Sequence, residues 1–260
     1  MTSRILVTGA AGRVGSVVVA GLLAAGRVVR ATDLVPVDPG CEFARADLND
    51  AESCARLCGG VDTIVHLAGH PNSRDWTMLE RANTAPTRTL FEAAGAAGAR
   101  RIVYASSVHV VGFEPADVRL HDAMAYRPSG PYGVSKIAGE MLLRLACDRY
   151  GLSGIALRIC SFRPAPTLAR ELRTWLSPVD MQRLALAAVD APMDGFRTVW
   201  GLSNNARADV DRGGWAAIGY LPTDDAENYR ASLAAAGVDT GIVSEWPRLG
   251  GAFAEAPPRP

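Results

Sequence analysis

Apolar residues recur along this chain in short blocks separated by longer amphipathic stretches, and that alternation sets the expected architecture. Arg4-Ile5-Leu6-Val7-Thr8 is a β-rich run, an apolar helical segment extends to about Gly26, and Val28-Val29-Arg30-Ala31-Thr32 is a second strand-like block. A strand-like segment over 41–47, a short helix over 50–58 and an apolar run from Val61 to Gly69 follow. The last of these is apolar on both faces, which suits a central strand of a parallel sheet. A helical stretch over 76–99 is expected to kink or divide at Pro86. Arg101–Ser107 reads as a fifth strand and 155–159 as a sixth. Between them Tyr132–Tyr150 reads as a helix with Met141, Leu142, Leu145 and Ala146 as its core stripe.

This order predicts an α/β fold, a doubly wound parallel sheet. After Ser161 the alternation fails. Arg163-Pro164-Ala165-Pro166 is a turn or extended segment, and Ser177-Pro178 marks a helix start with Ser177 as N-cap. A strand over 197–202 and a helix over 224–236 are expected, and the Pro- and Ala-rich tail beyond Gly250 should lose order toward its end. Residues 1–160 are expected to form the core, and 161–260 a small substrate-binding lobe of the same structural unit.

Composition narrows the function classes. The 260 residues are 48% hydrophobic and 21% charged, with Lys+Arg and Asp+Glu both at 27. No basic field suggests nucleic acid or an anionic membrane surface. The longest apolar stretch, Val17 to Ala25, is too short to span a bilayer. Met1-Thr2-Ser3 leads straight into a strand without a leader pattern, so the expected location is cytoplasmic. The five cysteines are odd in number and scattered, and nothing completes a zinc site around Cys54 and Cys58. Reduced thiols in or near the core are expected.

Two constellations carry chemistry. The first is Gly9-Ala10-Ala11-Gly12-Arg13-Val14-Gly15, placed between a strand and a helix. Gly9 permits the turn, Gly12 lets backbone approach a pyrophosphate, and Gly15 lets helix and strand pack closely. The helix N-terminus offers free N–H groups to the phosphates. Asp33, at the end of the next strand, can accept both ribose hydroxyls and would repel a 2′-phosphate, which favours NAD over NADP. Arg13 and Arg30 read as a loop cation and a solvated strand residue. Asp47-Leu48 stands where an acid can meet the adenine amino group, and Leu67-Ala68-Gly69 is small enough for backbone to pass beside a cofactor. His66 reads as a core histidine. Asn83, near the Pro86 break, either braces a loop or caps.

The second constellation is Ser107 with Tyr132 and Lys136. An i, i+4 pair projects from one helical face, so phenol and ammonium are neighbours. An ammonium beside a phenol favours the phenolate, and a serine nearby can hold the oxygen being oxidised or reduced. The long polar loop between them, 108–130, carries His109, His121 and Asp122.

Together, Gly9-Gly12-Gly15, Asp33, Asp47-Leu48, Leu67-Ala68-Gly69, Asn83, Ser107 and Tyr132/Lys136 resemble the extended short-chain dehydrogenase/reductase superfamily. The resemblance covers essentially the whole chain and implies a Rossmann-like fold that binds NAD. It implies Tyr132 as acid/base, Lys136 lowering its pKa and holding the nicotinamide ribose, and Ser107 on the reacting oxygen. Arg173-Thr174-Trp175-Leu176-Ser177, Val199-Trp200-Gly201 and Ser203-Asn204-Asn205 are similar to the bacterial uronate dehydrogenases, which oxidise the anomeric carbon of a hexuronate to a lactone. On that pattern Arg170 clamps the substrate carboxylate, while His109 and Ser161 touch the sugar. The chain departs from it twice. Val108 follows Ser107 where the pattern has Asn, and Pro71 replaces a serine, although Ser73 lies close by. The alternative is a ketoreductase or epimerase acting on a less polar molecule. A homodimer through the helices over 76–99 and 132–150 is a further expectation.

Overall fold

The computed structural model describes residues 3–38, 40–71 and 73–255. Its centre is a seven-stranded sheet built from β1 (Arg4–Thr8), β2 (Val28–Thr32), β3 (Glu42–Phe43), β4 (Thr63–His66), β5 (Arg101–Ser107), β6 (Ser153–Ile159) and a last strand, Phe196–Gly201. Every pairing in it is parallel, in the order β3-β2-β1-β4-β5-β6 and then Phe196–Gly201. The order reverses between β1 and β4, and in sheets of this type ligands bind in the crevice at that switch point.

Helices cover both faces. α1 (Arg13–Ala24) lies on one face, with a buried cluster including Val18, Leu22, Val103 and Leu157. α2 (Ala51–Cys58), α3 (Trp76–Leu79), α4 (Ala85–Ala96) and α5 (Pro131–Tyr150) follow in sequence. A second cluster, including Leu6, Ile64, Leu90, Phe91 and Leu143, packs α2, α4 and α5 on the opposite face. β7 (Ser161–Phe162) and β8 (Trp175–Leu176) pair as a small ribbon around α6 (Glu171–Thr174). α7 (Pro178–Asp190) starts at Ser177, whose side chain caps Asp180 N–H, and joins α1 on its face of the sheet. Phe196–Gly201 is β9, followed by α8 (Gly213–Ile218), α9 (Arg230–Ala235) and α10 (Ala252–Glu255).

Several expectations are corrected. The strand over 41–47 shrinks to two residues, β3. The helix over 76–99 is broken before Pro86 by a π-helical turn at Glu80–Thr84, and Pro86 sits at the start of α4, where it needs no hydrogen bond. On α5 the buried stripe is Tyr132, Lys136, Gly139, Leu143 and Ala146, whereas Met141 and Leu145 are exposed. Small and polar residues on the packed face disguised it. Arg30 is not solvated. Its guanidinium donates to Glu42 Oε1 at 2.7 Å and to the carbonyls of Leu57 and Gly59 at 2.6 and 3.0 Å. It thereby satisfies carbonyls at the end of α2 that have no helical partner. The helix over 224–236 is a 3₁₀ turn, Ala226–Tyr229, and then α9. The tail beyond Gly250 forms α10, and the expected loss of order falls on 256–260, outside the described residues.

Candidate active site

Two adjoining cavities open along the carboxyl ends of β1, β4, β5 and β6. The first, about 450 Å³, is walled by Gly9, Gly12, Arg13, Val14 and Gly15 at one end and by Ser107, Val108, His109, Tyr132 and Lys136 in the middle. The second, about 580 Å³, is walled by Gly9, Asp33, Asp47, Leu48, Leu67, Ala68 and Gly69. Gly9, Gly12, Leu67 and Gly69 belong to both, so the cavities form one groove across the switch point.

The residues at the glycine end fit a dinucleotide. Gly12 occupies the N-cap of α1 with no side-chain cap, so the first N–H groups of the helix remain available to an anion. Gly15 lets the helix pack closely on the strand turn, since a Cβ there would lie 2.0 Å from Gly9 O and force it to shift. Asp33 is preset. Its Oδ2 accepts from Ala11 N–H at 2.9 Å and its Oδ1 from Val35 N–H at 3.1 Å, fixing the carboxylate at the rim of the second cavity. Asp47 Oδ1 likewise accepts from Asn49 N–H at 2.9 Å. Asn83 braces the loop after β4: Oδ1 accepts from His70 N–H at 2.7 Å, and Nδ2 donates to Ser135 Oγ at 3.0 Å. It stands behind the wall of the groove. His66 is a satisfied core residue between Thr8 and Thr87, at 2.7 and 2.9 Å.

β5 delivers Ser107 and α5 delivers Tyr132 and Lys136 to one spot. Lys136 Nζ donates to Ala105 O at 2.8 Å and lies 5.8 Å from the Tyr132 ring centre and 5.0 Å from that of Tyr104. Burial pushes the Tyr132 phenol up to about 12, offset in part by the Ser107 hydroxyl. Burial also pulls the Lys136 ammonium down to about 8. The two shifts have one cause, since removing water disfavours phenolate and ammonium alike. Once the pair has lost one proton, phenolate–ammonium and phenol–amine carry the same charge, and the first loss belongs to the pair rather than to either residue. Behind it a buried network pins α5 to the sheet. Arg158 donates twice to Glu140, at 3.1 and 3.0 Å, and the Ser106 and Tyr126 hydroxyls donate to the same carboxylate.

The remaining wall comes from distant segments. Ser161 Oγ shares a hydrogen bond with Thr174 Oγ1 at 2.9 Å and faces the cavity. Arg170 lines it too, donating from Nη2 to Leu249 O at 2.8 Å, and burial lowers its pKa. His109 lies 5.6 Å from the Tyr132 ring, edge to face, and burial followed by the Arg170 charge lowers its pKa to about 4. Ser73 is not brought in; its Oγ accepts from Asp75 N–H in the turn before α3. Pro71 does line the cavity, as do Trp246 and Phe253, which motif reading missed. Two aromatic residues in a tail otherwise rich in Gly, Pro and Ala were the available signal.

Residues 5–163 match the NAD dependent epimerase/dehydratase family. The chain is 34% identical to the uronate dehydrogenase of Pseudomonas putida, over 98% of this chain and 97% of that one. It is 39% identical to the uronate dehydrogenase of Agrobacterium fabrum over 88% of both. Among solved structures it is similar to the glucuronic acid dehydrogenase of Chromohalobacter salexigens, with a TM-score of 0.90, 35% identity, and coverage of 99% and 98%. A mutant uronate dehydrogenase from Agrobacterium tumefaciens complexed with NAD gives a TM-score of 0.90 at 35% identity, covering 98% of both chains. The glycine end, the switch-point groove and these likenesses agree: the chain belongs to the NAD dependent epimerase/dehydratase family.

Proposed function

We propose that the protein is an NAD-dependent dehydrogenase that oxidises the anomeric hydroxyl of a hexuronate to an aldarolactone. The observation that carries this reading is Arg170. It is a largely buried guanidinium, held by a backbone carbonyl and lining the same cavity as Ser107 and Tyr132. A planar guanidinium in such a place is suited to a carboxylate. Relatives named as uronate and glucuronic acid dehydrogenases support the same class.

When bound, the nicotinamide of NAD would supply the hydride acceptor. Gly12 to Gly15 and the N-terminus of α1 would hold the pyrophosphate. Asp33 would take the adenosine ribose, Asp47 and Leu48 would hold the adenine, and Leu67 to Gly69 would line the cofactor's groove. Asn83 supports that loop from behind. Ser107 orients the substrate hydroxyl, and Tyr132 as phenolate takes its proton while Lys136 holds the charge of the pair. Arg170 fixes the far carboxylate, with Ser161 and His109 on the sugar hydroxyls. Residues 161–255 supply much of the substrate wall, while within that span β9 extends the sheet and α7 covers one of its faces.

A second reading, a reductase or epimerase for a less polar molecule, is favoured by the aliphatic Val108 and by Pro71 on the wall. Five free cysteines suit a reducing, cytoplasmic setting. Exposed Met141 and Leu145 on α5 support pairing of two copies through that helix. The deciding experiment incubates the protein with NAD and, separately, galacturonate, glucuronate, neutral sugars and apolar alcohols, following NADH absorbance. Turnover confined to the uronates is expected. Turnover only with neutral or apolar alcohols would refute the uronate reading.

A further inference from the structure

Behind the substrate wall sits a serine that lines neither cavity. Ser129 is 2% exposed, and its Oγ lies 2.8 Å from His109 Nδ1, while its N–H donates to His109 O at 3.1 Å. Backbone from two remote segments closes around the hydroxyl. A Cβ on Gly112 would come 2.1 Å from Ser129 Oγ and one on Gly250 2.6 Å, and Gly250 N–H donates to Gly112 O at 2.8 Å. The His109 ring is held on two further sides, by Tyr132 at 5.6 Å and by Phe253 at 5.1 Å. Its position is therefore fixed, and with Nδ1 engaged, Nε2 is the atom left for the cavity.

The groups facing this imidazole are Tyr132 from α5 and Arg170 from the segment before α6, with Arg74 on the Phe253 ring at 5.2 Å. Burial and the Arg170 charge both favour the neutral ring. A neutral imidazole has one N–H, and its partner decides which nitrogen bears it. A carboxylate against Nδ1 accepts only, and would fix Nδ1–H. A hydroxyl can donate to a bare nitrogen or accept from an N–H.

We propose that Ser129 is a positioning residue that anchors His109 while leaving its tautomer free. Nε2 then accepts from a sugar hydroxyl in one substrate and donates to it in another. The inference rests on the uronate reading and deepens it by naming the residue that sets how His109 meets the sugar hydroxyl.

The test compares wild type, Ser129→Ala and Ser129→Asp on galacturonate and glucuronate, which are epimers at C4, from about pH 5 to 8. Wild type is expected to have KM values for the two within about tenfold, without pH dependence from His109. Ser129→Ala should raise both by about tenfold, the scale of one lost hydrogen bond, leaving kcat and the KM for NAD near wild type. Ser129→Asp should fix Nδ1–H, widen the gap between epimers and introduce a pH-dependent KM, because the carboxylate stabilises the charged ring. Unchanged uronate KM values in Ser129→Ala, or an equal rise in the KM for NAD, would overturn the proposal. If Ser129→Asp does not fold, ¹⁵N spectra of the wild-type histidine rings decide instead. Different His109 tautomers in the two complexes are expected, and the same tautomer in both defeats the idea. Wild type inactive on every uronate counts against the dehydrogenase reading; an active wild type with an unaltered Ser129→Ala counts against Ser129 alone.

Discussion

The two ends of the groove are built on opposite plans. The dinucleotide end is mostly backbone: glycines, an uncapped helix terminus and two carboxylates fixed by N–H groups of neighbouring residues. Its parts lie close together along the chain, and sterics define it. The substrate end is mostly side chain. Ser107 and His109, Tyr132, Ser161, Arg170 and Phe253 come from five separate places in the fold, and most are held by contacts to yet another segment. A backbone site tolerates change in what surrounds it, provided no Cβ intrudes. A side-chain site can be retuned residue by residue while the other end keeps working.

That independence can be broken in three places. The largest effect is expected from Tyr132→Phe, which removes the proton acceptor and leaves the cavity shape. kcat should fall by about 10³-fold, within the range for general acid–base groups, with NAD affinity by titration unchanged. In wild type kcat/KM should rise toward about pH 8, where the Tyr132–Lys136 pair loses its first proton, and then level off. A Tyr132→Phe rate near wild type would remove the proton-transfer role. Arg170→Ala comes next: the uronate KM should rise about 10²-fold with the NAD KM unaltered, the loss expected when one partner of a buried charge pair is removed. An equal rise in both constants would show that the two ends are coupled. The smallest effect is expected from Gly15→Ala. The added Cβ must push Gly9 O aside, and overpacking of that size costs about 1–3 kcal/mol, roughly tenfold or more in NAD affinity. Uronate binding, measured as kinetic KM at saturating NAD, should stay near wild type.

The same division explains what could be read from the chain alone. Glycine spacing, the acid at the end of β2 and the i, i+4 phenol–ammonium pair are local patterns, and the structure brings Gly9, Asp33, Ser107, Tyr132 and Lys136 to one groove. Arg30 escaped because its partners are carbonyls more than a helix away, which no local pattern encodes. The α5 stripe escaped because Gly139 and Lys136 do not look like core residues, although the first makes room for the Tyr104 ring and the second for the proton-transfer pair. Phe253 escaped because a short helix late in a Pro- and Ala-rich tail carries no periodic signal. Ser73, chosen for its nearness to Pro71, turned out to cap its own turn.

Phe253 also has a consequence for the order in which the protein becomes competent. During synthesis the strands and loops of the dinucleotide end leave the ribosome well before Trp246 and Phe253, which close the pocket over His109 and Arg170. A nascent chain can therefore assemble its glycine loop and its proton-transfer pair while the substrate chamber still lacks a roof. A label attached to α10 itself would stand beside that chamber, because Ala252 and Phe253 line it. A tag ahead of β1 is the safer choice for kinetic work.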